Sequence, residues 1–353
     1  MASRDPALDV LRAVAPGTPL RNAIELILRQ ETGALIVLGY GRDVEAICSG
    51  GFHLDGADFA PARLAELAKM DGAVITDEAA EVIYRANVHL IPDSSIATSE
   101  TGTRHRTAER VAVQTGRPVI VVSEGRQTVN VYVGSTQLEL RSPTTLLAQA
   151  NQNLLTLERF RRRLTDDEDR LTQLEVDDIV VFRDVIKLLQ RAALVRRIGR
   201  DLDHYAVELG GEGELIRLQL VDLLTGVAEM AELVYADYSR AYPPKRRQPL
   251  DLLEALSTEF LSDDTKVAAQ LDLGGQENPA RSRGLRVLAR IPRLPDAVKA
   301  SLVSHFTTFQ KLLYAGVGEL DQVEGVGRTR ARQLRRYFDR LLDTTRVWDF
   351  DEE

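Results

Sequence analysis

The sequence predicts a multidomain protein: an α/β domain over residues 1–145, an α-helical bundle or linker domain over 146–285, and a separate helical end over 286–353. Three observations lead there. A chain of 353 residues is too long for one ordinary core. Short β-rich runs alternate with helical stretches up to about residue 145 and then give way to helix-style periodicity. The charge is uneven: the formal total is -8, yet Val323 to Arg346 holds Arg328, Arg330, Arg332, Arg335, Arg336, Arg340 and Arg346 against only Glu324, Asp339 and Asp343. An acidic chain with a basic end assigns that end a task of its own.

Composition narrows the classes. Apolar residues at 44% and charged residues at 28% are ordinary for a soluble globular protein. No apolar run reaches the ~18 residues of a membrane span, so no membrane partner is expected. The start "MASRDPALDV" carries no signal-peptide pattern. The single cysteine, Cys48, rules out an intramolecular disulfide framework and suits a reducing cytosol, so a cytoplasmic protein is expected. Cys48 lies in the strand-like run "VEAICSG", where a buried structural thiol is preferred over a reactive one.

In the first domain, "GTPLRNAIELILRQETG" is a helix with Thr18 as N-cap, Pro19 at the first helical position and Gly33 past the end. "ALIVLGY", "GAVIT", "EVIYRANVHLI", "PVIVVSE" and "TVNVYVG" are strands, whose order does not follow from the sequence. In "KMDGAVITD", Asp71 stands at a strand entrance before Gly72 and Ala73. A carboxylate beside open backbone fits a ribose or a metal, although a plain Asp-Gly turn explains the same residues.

"GTRHRTAER" precedes a helix whose Ala108, Val111, Ala112 and Thr115 share one inward stripe. Thr103 is the expected N-cap, which puts the helix mouth at Arg104 to Arg106. Arginines in a first turn oppose the helix dipole unless an anion is present, so an anion site is favoured over a solvated charged end. Arg104 and Arg106 point ~200° apart on an ideal helix. They either splay around a polyphosphate, or one serves a neighbouring group across an interface. "VVSEGR" adds Ser123, Glu124 and Arg126 at a strand end, where α/β sites often lie. There is no P-loop, no full G-x-G-x-x-G, no Cys/His metal cluster and no lysine-nucleophile motif, although Lys69 lies two residues before Asp71.

Beyond residue 146, Leu157, Phe160, Leu164, Leu171 and Leu174 recur at helical spacing between charged positions, and "VVFRDVIKLLQRAALVRRIG" continues in the same style. Residues 239–250 and 273–284 are Pro/Gly/charge-rich loops flanking a short helical stretch. At the end, "VEGVGRTRARQL" sets Gly325 and Gly327 in a tight turn before an amphipathic helix containing Ala331. Outward N–H groups, the helix N-terminus and Arg328, Arg330 and Arg332 form a sequence-independent phosphate site. This resembles a helix–hairpin–helix DNA-binding domain, with "IPRLPDAVKASLVSHF" as its degenerate partner. The alternative is a Gly-turned helix pair with a solvated basic face.

"DGA" at 71–73 and "GTRHRT" at 102–107 resemble the two signature motifs of the diadenylate cyclase family. "TGALIVLG", "MDGAVI", "RANVHLIPD", "ALVRRIG" and "IPRLP" are similar to its DNA-integrity-scanning, actinobacterial members, over essentially the full length. The resemblance implies that the α/β domain is a cyclase domain joining two ATP into cyclic di-AMP and two diphosphates, with Mg²⁺ or Mn²⁺. Asp71 would engage the ribose 3′-hydroxyl or a metal beside it. Gly72 and Ala73 would let ribose and base approach the backbone, and Leu90 would contact adenine. Thr103, Arg104, His105, Arg106 and Thr107 would hold the triphosphate, Ser123 would complete the grip, and Arg126 is a further candidate. Glu124 has no counterpart role. Asp71, Arg104, His105 and Arg106 are the candidate catalytic residues.

Each site holds one ATP, so the active centre is expected between two facing chains. The resemblance implies a homo-octamer, down-regulation by branched DNA or recombination intermediates, and a cytoplasmic, nucleoid-associated location. The competing reading is a non-catalytic, nucleotide-sensing DNA-binding or repair scaffold. A ligase-type nucleotidyltransferase is disfavoured by the missing lysine motif.

Overall fold

The computed structural model describes residues 6–244 and 248–347. Residues 1–5, Lys245 to Arg247 of the 239–250 loop, residues 348–353 and the side chain of Arg346 lie outside the described residues. The first part of the chain opens with helices α1 (Pro6–Ala13) and α2 (Pro19–Arg29). Then come β1 (Ala34–Leu38), α3 (Arg42–Glu45), β2 (Cys48–Ser49), β3 (Phe52–Asp58), α4 (Pro61–Leu67), β4 (Ala73–Thr76) and β5 (Val82–Leu90). It closes with α5 (Thr103–Thr115), β6 (Val119–Val122), β7 (Val129–Val133) and β8 (Thr136–Leu140).

The strands form one sheet in the order β2-β5-β4-β1-β6-β7-β8, with β3 also paired to β5. Strand β1 runs parallel to β4 and antiparallel to β6. The alternation of side chains along β1 splits it between two cores. Ala34, Ile36 and Leu38 pack with Ile24 and Ile27 of α2 and Leu64 of α4. Leu35 and Val37 pack on the other face with Ala108, Val111 and Ala112 of α5. Helices on both faces explain why "ALIVL" is buried throughout. Thr18 caps α2 as expected, accepting from the Arg21 N–H at 3.2 Å.

"VEAICSG" is not a strand along its length. Val44 and Glu45 belong to α3, and only Cys48 and Ser49 pair, at the sheet edge against β5. Cys48 is half-buried and its thiol donates to the Val44 carbonyl at 3.1 Å. Burial pushes that thiol up to about 11, which suits a structural group.

The helical part comprises α6 (Pro143–Asp177), α7 (Phe182–Glu208), a 3-10 turn (Gly210–Gly213), α8 (Glu214–Leu224) and α9 (Val227–Tyr238). Three short helices follow, α10 (Pro249–Glu254), α11 (Thr258–Leu261) and α12 (Asp264–Gln270), the first starting at Pro249 inside the 239–250 stretch read as a loop. The end holds α13 (Leu285–Ala289), α14 (Asp296–Phe306), α15 (Phe309–Tyr314), α16 (Val317–Asp321) and α17 (Arg328–Val347). Leu157, Leu164 and Leu171 are buried, so the helical spacing of α6 does mark its inner stripe. Among the described residues no helix is long and apolar enough to cross a membrane.

Contacts divide the chain into two compact units, residues 1–152 with 202–218, and 153–201 with 219–353. In the first, Arg141 holds the 202–218 segment through Glu208 at 2.8 Å and the Tyr205 ring at 4.8 Å. In the second, a buried charged cluster joins three helices. Arg286 of α13 meets Glu175 of α6 at 2.5 Å, the Tyr238 hydroxyl donates to Glu175 at 2.6 Å, and Asp237 of α9 accepts from the Leu285 and Arg286 N–H groups. Burial, then the Glu175 charge, pushes the Asp237 carboxyl up to about 7.

Candidate functional site

The DGA residues stand where the chain enters β4. The Gly72 N–H donates to Asn87 Oδ1 at 3.1 Å. A Cβ at position 72 would lie 2.2 Å from the Asn87 carbonyl carbon. The adjacent strand β5 therefore requires glycine here, and Asp71 is left at the strand mouth with 97% of its side chain exposed. Ala73 is buried at 1% exposure. The antiparallel register Ala73↔Val88 carries half-buried Leu90 to the Asp71 end of the β4–β5 pair.

The N-cap of α5 is Gly102, in extended conformation, and not Thr103, which is the first helical residue. A Cβ at 102 would come within 3.3 Å of His105 Cδ2, a tight contact that the ring could relieve by a small shift. The first helical bond runs from the Arg106 N–H to the Gly102 carbonyl at 2.9 Å. The N–H groups of Thr103, Arg104 and His105 therefore have no acceptor within the helix and point out of its mouth. No acid stands in the first turn. Ala108, Val111 and Ala112 are buried as the stripe predicts, and half-buried Thr115 donates to the Val111 carbonyl at 2.7 Å.

The fold brings the two motifs together. Arg104 Nη2 lies 3.0 Å from Asp71 Oδ1, across 33 residues of sequence. The guanidinium passes over Gly33, where a Cβ would sit 1.9 Å from Arg104 Nη1. Gly33 is thus a site residue that sequence reading placed only beyond a helix end. Its signal was the "TGA" step into a buried strand. Arg106, two residues on, is exposed, and Thr103 is exposed one turn before half-buried Thr107.

His105 takes a third direction. Its Nδ1 lies 2.8 Å from the Tyr132 hydroxyl, which donates to Glu100 Oε1 at 2.8 Å. Burial, and then Glu100, hold the Tyr132 hydroxyl well above the usual phenol range. His105 and Arg126 line one polar cavity of about 310 Å³ together with Glu100, Asn130 and Glu139. Half-buried Ser123 closes the intervening turn by donating its N–H to the Thr128 carbonyl at 2.9 Å, and Glu124 is exposed within that turn. Tyr132 and Glu100 carried no motif, and sequence reading passed over both.

At the other end, Gly325 and Gly327 lie in the turn between α16 and α17. Gly325 has φ +80° and approaches Val298 of α14, whose Cγ2 a Cβ would meet at 3.1 Å. Val323 and Val326 anchor the turn in a core that includes Ala331, Leu334 and Phe338. Arg330 donates to the Gly325 carbonyl and so closes the turn itself. Arg328 is 83% exposed, 3.7 Å from Asp321, and Arg332 is exposed one turn further along.

Comparison with known proteins places the chain in a family. The family model described as DisA bacterial checkpoint controller nucleotide-binding matches residues 21–136. The model described as DisA bacterial checkpoint controller linker region matches residues 140–279. The chain is 50% identical over 342 residues to the DNA integrity scanning protein DisA of Acidothermus cellulolyticus, covering 95% of this chain and 93% of the relative. It is 47% identical to the protein of that name from Parafrankia sp., covering 95% of each. With that of Streptomyces griseus the identity is 45%, covering 95% of this chain and 91% of the relative. The chain belongs to the DisA family, with a DAC nucleotide-binding domain followed by the family's helical linker.

Proposed function

We propose that this chain, a diadenylate cyclase by family and by its nucleotide-binding domain, condenses two ATP into cyclic di-AMP at the Asp71–Arg104 site. The observation that carries the reading is the 3.0 Å contact uniting the DGA and RHR motifs. In each half-reaction a ribose 3′-oxygen bonds to the α-phosphorus of the opposite ATP, the bond from that phosphorus to the bridging oxygen of the leaving diphosphate breaks, and the hydroxyl proton passes to the Asp71 carboxylate and from there to solvent. Asp71 draws that hydroxyl into position. Arg104, Arg106 and the α5 N–H groups stabilise charge on the phosphoryl oxygens and the leaving diphosphate. Before nucleotide binds, Arg104 neutralises Asp71; a bound phosphate competes for that guanidinium and frees the carboxylate.

Among the described residues no group of three His, Cys, Asp or Glu side chains is placed to hold a metal ion. A single exposed carboxylate at Asp71 still fits Mg²⁺ or Mn²⁺ in the way these ions bind nucleotides, with substrate phosphates as the other ligands. Such an ion would supply charge neutralisation at the phosphates. Cyclisation needs two ATP facing each other and each chain carries one such site, so two chains pair face to face, within an octamer. Arg106, exposed and turned away from Arg104, is free to reach a phosphate from another direction. Arg106→Ala should weaken triphosphate binding or cyclisation by about 1.5–3 kcal/mol, the scale of a charge-assisted hydrogen bond. ATP titration and initial rates check it; unchanged affinity together with unchanged rate would return the RHR cluster to a solvated surface.

The reading extends to three domains, 1–145, 146–285 and 286–353, in a cytoplasmic, nucleoid-associated protein. The last domain acts as a helix–hairpin–helix module that grips DNA phosphates and lowers cyclase output when branched DNA is bound. The Gly325 turn packed on Val298, with exposed Arg328 and Arg332 at the mouth of α17, supports this. The chain passes between its two compact units three times, inside α6, α7 and α8. A coupling of ~1–3 kcal/mol suffices for regulation. A four-way junction should therefore inhibit the parent more than linear duplex does, and binding should fall steeply with salt. Arg328→Ala/Arg332→Ala should flatten the salt slope by about two and relieve inhibition, whereas Arg330 holds the turn itself. If the junction binds the parent and leaves its rate unchanged, the coupling is wrong.

The nucleotide-sensing scaffold remains the second reading, and product identification separates the two. The purified chain is incubated with ATP and Mg²⁺ or Mn²⁺ and the products are resolved by chromatography. Cyclic di-AMP supports the cyclase, unreacted ATP supports the scaffold, and a covalent adenylyl adduct would revive a ligase-type enzyme.

A further inference from the structure

The Tyr132 hydroxyl has one proton and three polar neighbours. Glu100 Oε1 and His105 Nδ1 both stand at 2.8 Å, and Gln137 Nε2 at 3.4 Å. A carboxylate only accepts and an amide nitrogen only donates, so the hydroxyl proton goes to Glu100. The oxygen then receives a hydrogen bond from the His105 Nδ1–H. This ordering leaves the neutral ring one tautomer, with Nε2 carrying the lone pair and directed away from Tyr132.

The parts of this chain are themselves fixed. Tyr132 lies on β7 with 1% exposure, in the core shared with Val111 and Ala112 of α5. Its ring meets the imidazole edge-on, at 69°. The Glu100 N–H donates to Thr98 Oγ1 at 3.1 Å, and the Thr98 hydroxyl donates to Glu109 of α5. On its other edge the imidazole faces Gly102, where an added Cβ would lie 3.3 Å from Cδ2, the carbon next to Nε2. A histidine held only by its helix would sample several rotamers and both tautomers. This one is restrained at Nδ1 by its hydrogen bond to Tyr132 and by the edge-on packing of that ring.

We propose that Tyr132 and Glu100 are positioning residues for His105, holding its imidazole in one tautomer and one orientation so that Nε2 is the atom presented to the bound nucleotide. The proposal rests on the reading of His105 as a nucleotide-site residue. Neither Tyr132 nor Glu100 touches the nucleotide on this view; both act through the ring.

The test uses the full-length chain and the variants Tyr132→Phe, Glu100→Ala and Glu100→Gln, with ATP and Mn²⁺ as the probe. Tyr132→Phe and Glu100→Ala should lower kcat on the order of ten- to a hundredfold, with KM within about threefold, because orientation is lost while binding groups remain. Glu100→Gln keeps an acceptor for the Tyr132 hydroxyl and should return kcat to within about threefold of the parent. A second readout does not depend on turnover. In the ¹⁵N spectrum of labelled histidine, the signals lost in His105→Gln should show the Nδ1-protonated tautomer in the parent and lose that pattern in Tyr132→Phe. Parent-like kcat in both Tyr132→Phe and Glu100→Ala, or an Nε2-protonated ring in the parent, overturns the proposal. A parent that makes no cyclic di-AMP sinks the cyclase reading instead, and the tautomer still decides the relay. Should Tyr132→Phe fail to fold, the contrast between Glu100→Ala and Glu100→Gln decides it.

Discussion

Asp71→Asn should abolish cyclic di-AMP formation, by on the order of a thousandfold, while ATP binding stays within about tenfold of the parent. Asparagine matches aspartate in shape, and its amide oxygen can still accept from Arg104, so the local geometry survives. The charge does not. A neutral amide neither draws a proton from a ribose hydroxyl nor binds a divalent cation as a carboxylate does. Removing a negative charge beside the triphosphate leaves ATP affinity close to the parent's. The folded state should be little affected, because Asp71 is 97% exposed and an exposed ion pair contributes little to stability. Steady-state rates and an ATP titration on one preparation check this. Near-normal turnover would remove Asp71 from the chemistry.

Gly33→Ala should lower turnover on the order of a hundredfold without replacing any residue of either motif. The added methyl would sit 1.9 Å from Arg104 Nη1, and the easiest relief is to swing that flexible guanidinium away from Asp71. A second contact, 3.3 Å to the Val122 carbonyl, is tight but needs only a small adjustment. Stability should therefore change by about 1 kcal/mol or less, measured as a urea midpoint. Arg104→Ala provides the control. If the alanine acts only through Arg104, the double variant is no worse than Arg104→Ala alone. Full activity in Gly33→Ala would mean that the Arg104–Asp71 contact is dispensable.

What could be read in advance follows from where the information lies. "ALIVL" and "VIVV" announced strands because buried central strands are apolar along their length. Asp71 and Arg104 stood out because each sits in a compact motif, and the fold brings the two to 3.0 Å. Strands β3 and β8 were not, since strands such as "TQLEL" are mostly polar and exposed. Gly33, Tyr132 and Glu100 escaped for a different reason. Their roles exist only because β1 lies beside β6, and β6 beside β7, an order that no local pattern encodes. The Thr103 cap failed because the helix starts one residue earlier than the hydroxyl preference of N-caps suggests, with Gly102 in the cap position.

The central claim is that the Asp71–Arg104 site makes cyclic di-AMP from two ATP. The most direct measurement is the product stoichiometry with Mn²⁺, followed in parallel for the parent and Asp71→Asn. The parent should release two diphosphates for each cyclic di-AMP, with no ADP and no adenylyl-protein, and the variant should do neither. Diphosphate release without cyclic di-AMP, or equal product from both proteins, would contradict it.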